Sequence, residues 1–236
     1  MDIGNSRIKW RVVAPDRVVK RGVVDHFRSS WSDFASHDFD LQRVRVANVA
    51  GPELASKLDK YLQESIGVTA EFAVSERSIG KVVNGYTVPG KLGVDRWLAI
   101  VAGWNIVQGP CLVIDAGSAL TVDFIGAEGA HSGGYIVPGL SMMQLALYGG
   151  TSDVRFDQLD SYAQFPGRNT AEAVQNGCFE MVLALLEQSY RRLVDEEGSG
   201  RLIFTGGWSE QLMNCLDEDA SIVPELVLDG LAFALP

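Results

Sequence analysis

Two stretches of this chain share one pattern. DIGNSRIKW (2–10) and DAGSALTVDF (115–124) each run Asp, any residue, Gly, then a small amide or hydroxyl residue and a β-type run. A lone Asp-x-Gly between strands is ordinarily a hairpin tip, because both residues favour turns. Here the two copies open halves of the same order: strand, strand, strand, helix, strand, helix. A repeated unit, each copy led by a tight polar turn, predicts a duplicated α/β chain, which a length of 236 residues accommodates as two domains of roughly 100–120 residues.

In the first half, Arg7–Ala14 and Val18–Asp25 read as strands joined at Pro15-Asp16, and 43–49 is a third β-branched run. Leu54, Leu58 and Leu62 place a helix over 51–65, and 68–74 returns to strand. A stretch with Gly, Pro and Asn (80–93) leads into a helix over 94–106. The Gln108-Gly109-Pro110 break sets the expected boundary, giving lobes 1–108 and 109–236. Beyond it, strands are expected at 111–115, 119–125 and 134–137, and a helix at 140–148. The weakly periodic segment 149–167 is a candidate mobile loop. The longest helix, 170–197, is expected to be capped by Asn169 or Thr170. A strand at 201–205, ending in Gly206-Gly207, a helix over 208–216, and a short strand and helix complete the order.

Charge and cysteine content narrow the function. A formal charge of −10 argues against nucleic acid or an anionic membrane as main partner, while leaving room for a local basic pocket. Cys111, Cys178 and Cys215 form no CxxC pair, which disfavours a zinc knuckle or a disulfide framework. Asp2, Arg7 and Lys9 stand where a signal peptide would be apolar, and no apolar run approaches the roughly 20 residues that span a bilayer. A cytoplasmic protein without nucleic acid or membrane partners is expected. His26, His37 and His131 are scattered and receive no role.

The paired turns suit a nucleotide. Asp at a strand end holds Mg²⁺ through water, which makes Asp2 a candidate. Gly4 and Gly117 permit turns tight enough for backbone N–H groups to approach phosphate oxygens. The Ser6, Ser118 and Thr121 hydroxyls add donors, and Lys9 adds a point charge. No Walker loop is present, since Gly80-Lys81 and Gly90-Lys91 lack the following Ser or Thr. ATP would therefore bind between two facing hairpins, the arrangement of the actin, sugar-kinase and heat-shock-ATPase superfamily.

A second signal lies in NGYTVPGKLGVDRWLAIVAGW (84–104). Gly93 precedes a helix whose first turn carries Asp95 and Arg96, so an anion there would meet free N–H groups. Arg96 can grip a carboxylate or phosphate with two parallel bonds. Asp95 can take a proton from a substrate hydroxyl, or it simply complements the helix dipole. Trp97, Leu98, Ile100 and Val101 read as core.

DIGNSRIK, NGY, GVDRW, DAGSALTVD, GGYIVPGL and FTGG follow one another as in type III pantothenate kinases, which the chain resembles over nearly its whole length. The resemblance implies two ribonuclease H-like (actin-like ATPase) domains with a central cleft. It implies transfer of the ATP γ-phosphoryl group to the 4′-hydroxyl of pantothenate, the first step of coenzyme A synthesis. By the same resemblance Asp2, Gly4, Asn5, Ser6 and Lys9 form the first phosphate motif, and Gly117, Ser118, Gly206 and Gly207 contact ATP. Asp95 is the base. Tyr86, Gly93, Val94, Arg96 and Thr170 line the pantothenate pocket, and Asp115 is the monovalent-cation ligand. Mg²⁺ or a similar divalent ion, K⁺ or NH₄⁺, and a homodimer whose pockets lie near the subunit interface are also implied.

Two positions depart from that pattern. Ser118 stands where the family usually has Thr, which keeps the hydroxyl and loses a methyl. Only Met1 precedes Asp2, where a first strand of about five residues is usual. Either the start lies upstream, or Asp2 is held by neighbouring strands alone. Two other readings compete: a kinase-fold regulatory accessory factor, and a phosphotransferase acting on sugar or acetate, which NGY and GVDR together weaken.

Overall fold

The structure, a computed structural model, describes residues 1–15, 17–25, 40–150 and 164–236. Most of the expected mobile segment, at 151–163, lies outside the described residues, as do His26 and His37.

In the first half the chain forms β1 (Asp2–Ile3), β2 (Arg7–Ala14), β3 (Arg17–Asp25), β4 (Val44–Asn48), α1 (Pro52–Ser65) and β5 (Ala70–Phe72). These strands make one sheet in the order β3-β2-β1-β4-β5, antiparallel from β3 to β1 and parallel from β1 to β5. A small hairpin of β6 (Ser78–Ile79) and β7 (Val82–Val83), a 3₁₀ turn at Pro89–Lys91 and α2 (Val94–Val107) follow. Helix α1 starts where backbone chemistry asks it to: Gly51 takes φ +97° at the N-cap and Pro52 opens the first turn. Leu58 and Leu62, one turn apart, are buried against Ile3, Ile8, Val44 and Val46 of the sheet.

The second half repeats the plan. It has β8 (Cys111–Ala116), β9 (Ala119–Ile125), β10 (His131–Pro138), α3 (Leu140–Gly150), α4 (Thr170–Glu197), β11 (Arg201–Thr205), α5 (Ser209–Met213) and β12 (Ala220–Ile222). The sheet order is β10-β9-β8-β11-β12, with the same switch from antiparallel to parallel at its central strand. Alternate residues Leu112, Ile114, Leu120, Val122 and Phe124 meet Phe179, Val182, Leu183 and Leu186 of α4. Each such buried side chain contributes about 1.5–3 kcal/mol. Asn169 is the cap of α4: its Oδ1 accepts from Glu172 N at 2.9 Å, while Glu172 Oε2 accepts from Arg168 N at 2.7 Å. Gly198, at φ +80°, ends the helix. A last helix, α6 (Leu226–Ala234), closes the chain.

The compact units differ from the expected lobes at the C-terminus. One comprises Met1–Ile106 with Glu225–Pro236, the other Val107–Pro224. The final segment belongs with the first sheet because Arg11 of β2 donates to Glu225 Oε2 (3.1 Å), Asp229 Oδ1 (2.6 Å) and Leu228 O (3.0 Å). Gly230 packs against Leu98 of α2 so closely that a Cβ would sit 2.3 Å from Leu98 O. Sequence order alone assigns this helix to the second lobe, because nothing local records a contact made across more than 200 residues.

Asp2-Ile3 is a strand rather than a bare turn tip. Asp2 pairs with Lys9 on one side and Ala47 on the other. The Ala47 N–H donates to Met1 O at 2.9 Å, and Val49 N–H to Ile3 O at 3.1 Å. Short as it is, β1 is held by ladders on both edges, with Ile3 fully buried.

Candidate active site

In the first unit the β1–β2 turn is closed by Gly4 N–H donating to Arg7 O at 3.1 Å, with Asn5 and Ser6 exposed at its tip. A Cβ on Gly4 would lie 3.3 Å from that same oxygen, so the turn favours glycine. Cross-strand pairing sets Lys9 beside Asp2 on one face of the sheet. An acid for a hydrated cation and an ammonium for an anion thus stand side by side.

The stretch 84–96 of the same unit builds a second cluster. Arg96 is buried, and its Nη1 donates to the Tyr86 hydroxyl at 2.9 Å, with the guanidinium carbon 5.6 Å from the Tyr86 ring centroid. Two residues expected to line a substrate pocket are therefore in direct contact, although nine positions separate them. Asp95, half-buried in the first turn of α2, accepts from Arg96 N at 2.8 Å through Oδ1. Gly93 makes room for it, since a Cβ there would meet Asp95 Oδ1 at 2.7 Å. Val94 opens the helix.

In the second unit Asp115, the penultimate residue of β8, is in register with Thr121 of β9 and Thr205 of β11. The turn after it is fastened from three directions. Gly117 N–H donates to Ala119 O (3.1 Å), Gly139 N–H to Ser118 O (3.0 Å) and Trp208 N–H to Ala116 O (3.1 Å). Gly206 adopts φ +97°, and a Cβ on it would fall 2.5 Å from Ala116 C and 2.7 Å from Asp115 Oδ1. Gly207, by contrast, is exposed with nothing near its Cα, and Ser118 is exposed at the turn. Asp115, Gly117, Ser118, Gly206 and Gly207 thus form one constellation. Its carboxylate and peptide oxygens are hard donors of the kind that Mg²⁺ or K⁺ takes.

Thr170 stands elsewhere in that unit. It is exposed at the first turn of α4, on an open groove of about 820 Å³ lined also by Leu147, Ala173, Val174, Cys178 and Met181. Burial pushes the Cys178 thiol above its usual range.

Two features receive no role from the sequence. Asn84, the first residue of the NGY motif, is 2% exposed and ties the 76–89 loop to Tyr86; an Asn-Gly pair by itself ordinarily means a loop. His131 Nε2 lies 2.9 Å from Asp123 Oδ1, and both are buried. Asp123 stands on β9 between the core residues Val122 and Phe124, so it faces the side of the sheet away from α4. That alternation was the available signal. Among the described residues no three His, Cys, Asp or Glu cluster as a metal site.

Comparison with known proteins places the whole chain in a family. The family model described as Type III pantothenate kinase matches residues 1–192. The chain belongs to the type III pantothenate kinase family. A protein of that name from Ectopseudomonas mendocina (strain ymp) is 37% identical over 243 aligned residues, covering 100% of this chain and 98% of that one. Two solved structures share the fold. One is described as a conserved putative Baf family transcriptional activator from Campylobacter jejuni: TM-score 0.61, 24% identity, 98% of this chain and 94% of that chain. The other is described as a putative 2-dehydro-3-deoxygalactonokinase from Sinorhizobium meliloti: TM-score 0.56, 10% identity, 99% and 96%. At such identities the likeness establishes the two-domain α/β fold of actin-like ATPases and sugar kinases, which family membership also carries.

Proposed function

We propose that this family member is a pantothenate kinase, transferring the γ-phosphoryl group of ATP to the 4′-hydroxyl of pantothenate. The observation that carries the assignment of roles is the Tyr86–Arg96 pair beside Asp95. A buried guanidinium, oriented by a phenol and set at a helix start, suits the carboxylate of a small acid. The adjacent half-exposed Asp95 suits the acid's hydroxyl. In the reaction Asp95 accepts the hydroxyl proton, the freed oxygen bonds to the γ-phosphorus, and the bond from that phosphorus to the β,γ-bridging oxygen breaks, releasing ADP. Gly93 and Val94 line the pocket, while Thr170, on the α4 groove, is assigned to substrate by the family resemblance alone.

Lys9 and the N–H groups of Asn5 and Ser6 hold phosphate oxygens at the first turn, which Gly4 keeps tight through its bond to Arg7 O, and Ser118, Gly206 and Gly207 do so at the second, which Gly117 closes. Asp2 would hold Mg²⁺ through water and Asp115 would hold K⁺ or NH₄⁺, cations that would offset the phosphate charge. Exposed Met142, Leu145 and Met181 on α3 and α4, beside the Thr170 groove, support a homodimer that covers that face. The −10 charge supports the absence of nucleic-acid and anionic-membrane partners, and among the described residues no helix is long and apolar enough to cross a membrane. Three free thiols suit a cytoplasmic location. No observation favours the accessory-factor reading over the kinase.

Purified protein given ATP, Mg²⁺ and K⁺ is expected to release ADP only when pantothenate is added, and Asp115→Ala to lose or shift the K⁺ dependence. No pantothenate-dependent ADP would overturn the reading. An unchanged K⁺ response in the variant would move the cation elsewhere.

A further inference from the structure

The buried carboxamide of Asn84 makes three bonds. Its Nδ2 donates to Glu76 O (3.0 Å) and Pro89 O (3.2 Å), and its Oδ1 accepts from Tyr86 N at 3.0 Å. Its backbone N–H donates to Arg77 O at 2.9 Å. Both amide hydrogens and one lone pair are thus committed within a 2% exposed site. The three segments joined are the run-in to β6 at 76–77, the turn at Tyr86 and the 3₁₀ turn that leads into α2. Tyr86 then passes the constraint on, because its hydroxyl accepts from Arg96 Nη1 at 2.9 Å.

We propose that Asn84 is a positioning residue for the acceptor-substrate pocket, acting through Tyr86 on Arg96; this rests on the kinase reading for the identity of the acceptor. An asparagine suits the place because it alone offers two donors and an acceptor on so short a stem. Aspartate would face Glu76 O and Pro89 O with lone pairs, and leucine would remove all three partners from Glu76 O, Pro89 O and the Tyr86 N–H. The side chain touches neither substrate nor nucleotide in this scheme. It fixes where a phenol and a guanidinium stand, and an error of about 1 Å at such groups is worth about 100-fold in turnover efficiency.

The test combines exchange and kinetics. In wild-type protein the Tyr86 amide is expected to exchange with deuterium slowly by NMR; exchange at the rate of an open loop overturns the proposal, and this arm requires no variant to fold. Asn84→Ala is expected to remove that protection and to raise the pantothenate KM roughly 10- to 100-fold, moving the ATP KM less than about twofold. In a Tyr86→Ala background the same change should cost nothing further, since residues acting in series are not additive. Equal rises in both KM values, or full additivity with Tyr86→Ala, would mark Asn84 as merely structural and sink the idea. Wild-type protein that fails to turn over pantothenate would instead count against the kinase reading, while the exchange arm would still decide whether Asn84 holds the Tyr86 turn.

Discussion

Gly206 and Gly207 are adjacent and chemically identical, yet the structure separates them sharply. Gly206 combines φ +97° with a Cα so near the Asp115 turn that a Cβ would overlap Ala116 C at 2.5 Å and Ala116 O at 2.6 Å. Both are backbone atoms and neither can swing away. An alanine there meets two costs: about 1–3 kcal/mol for holding an L-residue in that region, and about 1–3 kcal/mol for forcing packed atoms apart. The sum, about 2–6 kcal/mol, is a large share of the 5–15 kcal/mol that holds a typical domain together. For a chain this long each kcal/mol moves the melting point by about 2–4 °C, so Gly206→Ala should melt roughly 5–20 °C below wild type.

Gly207 has no positive φ, and a methyl group added to its Cα would meet nothing within 4 Å, so Gly207→Ala should melt within about 2 °C of wild type. The proposed function adds a second expectation for this site. If nucleotide lies against Gly207, the folded Gly207→Ala enzyme should show an ATP KM raised about tenfold with pantothenate KM unchanged, one new methyl sufficing to disturb a backbone-close contact. Differential scanning fluorimetry and steady-state kinetics on the two variants suffice. A Gly206→Ala protein melting within about 2 °C of wild type would refute the close approach between the two turns and the argument for why a glycine pair ends β11.

Asp95→Asn should keep the fold and ATP affinity and lose about 10²–10⁴ in kcat, read as ADP release; wild-type turnover would remove Asp95 as base. Arg11→Lys keeps the charge but loses the planar fork that reaches Glu225, Asp229 and Leu228 O together. With Asp229 36% exposed and screened, the expected loss is about 1–2 kcal/mol, seen as faster amide exchange in α6; unchanged exchange there would mean the helix is held by apolar packing alone. Burial pushes the Cys111 thiol up to about 12, so at pH 8 it is almost wholly protonated and unreactive. A thiol reagent should label the partly exposed Cys215 first and Cys111 only on unfolding, and labelling of Cys111 at the Cys215 rate would contradict its burial.

Much of this was legible because it rests on local chemistry. The Asp-x-Gly turns, the Asn169 cap with Glu172 three residues on, and the Pro52 helix start each depend on residues within one turn of the chain. Strand β1 was not legible, since two residues carry no periodicity and its existence depends on ladders supplied by β2 and β4. The placement of α6 was hidden for a related reason: Arg11 and Glu225 meet only after the chain has folded. Asn84 is visible in the NGY motif, but what it does is not, because turn asparagines are common and burial is invisible in sequence.

The duplication also shows where the two halves have diverged. In both units an Asp at the end of the central strand faces a residue of the next antiparallel strand, and a glycine two positions on closes the turn. The partner of Asp2 is Lys9, whereas the partner of Asp115 is Thr121. The first turn therefore carries an acid and an ammonium side by side, and the second an acid beside a hydroxyl. The two turns differ in chemistry: under the proposed function the ammonium of Lys9 suits phosphate oxygens at the first turn, and the Asp115–Thr121 pair suits a cation at the second. Under the proposed function, the change of this one paired residue, Lys9 in one repeat and Thr121 in the other, is a physical reason for the two repeats to have different roles rather than the same one twice.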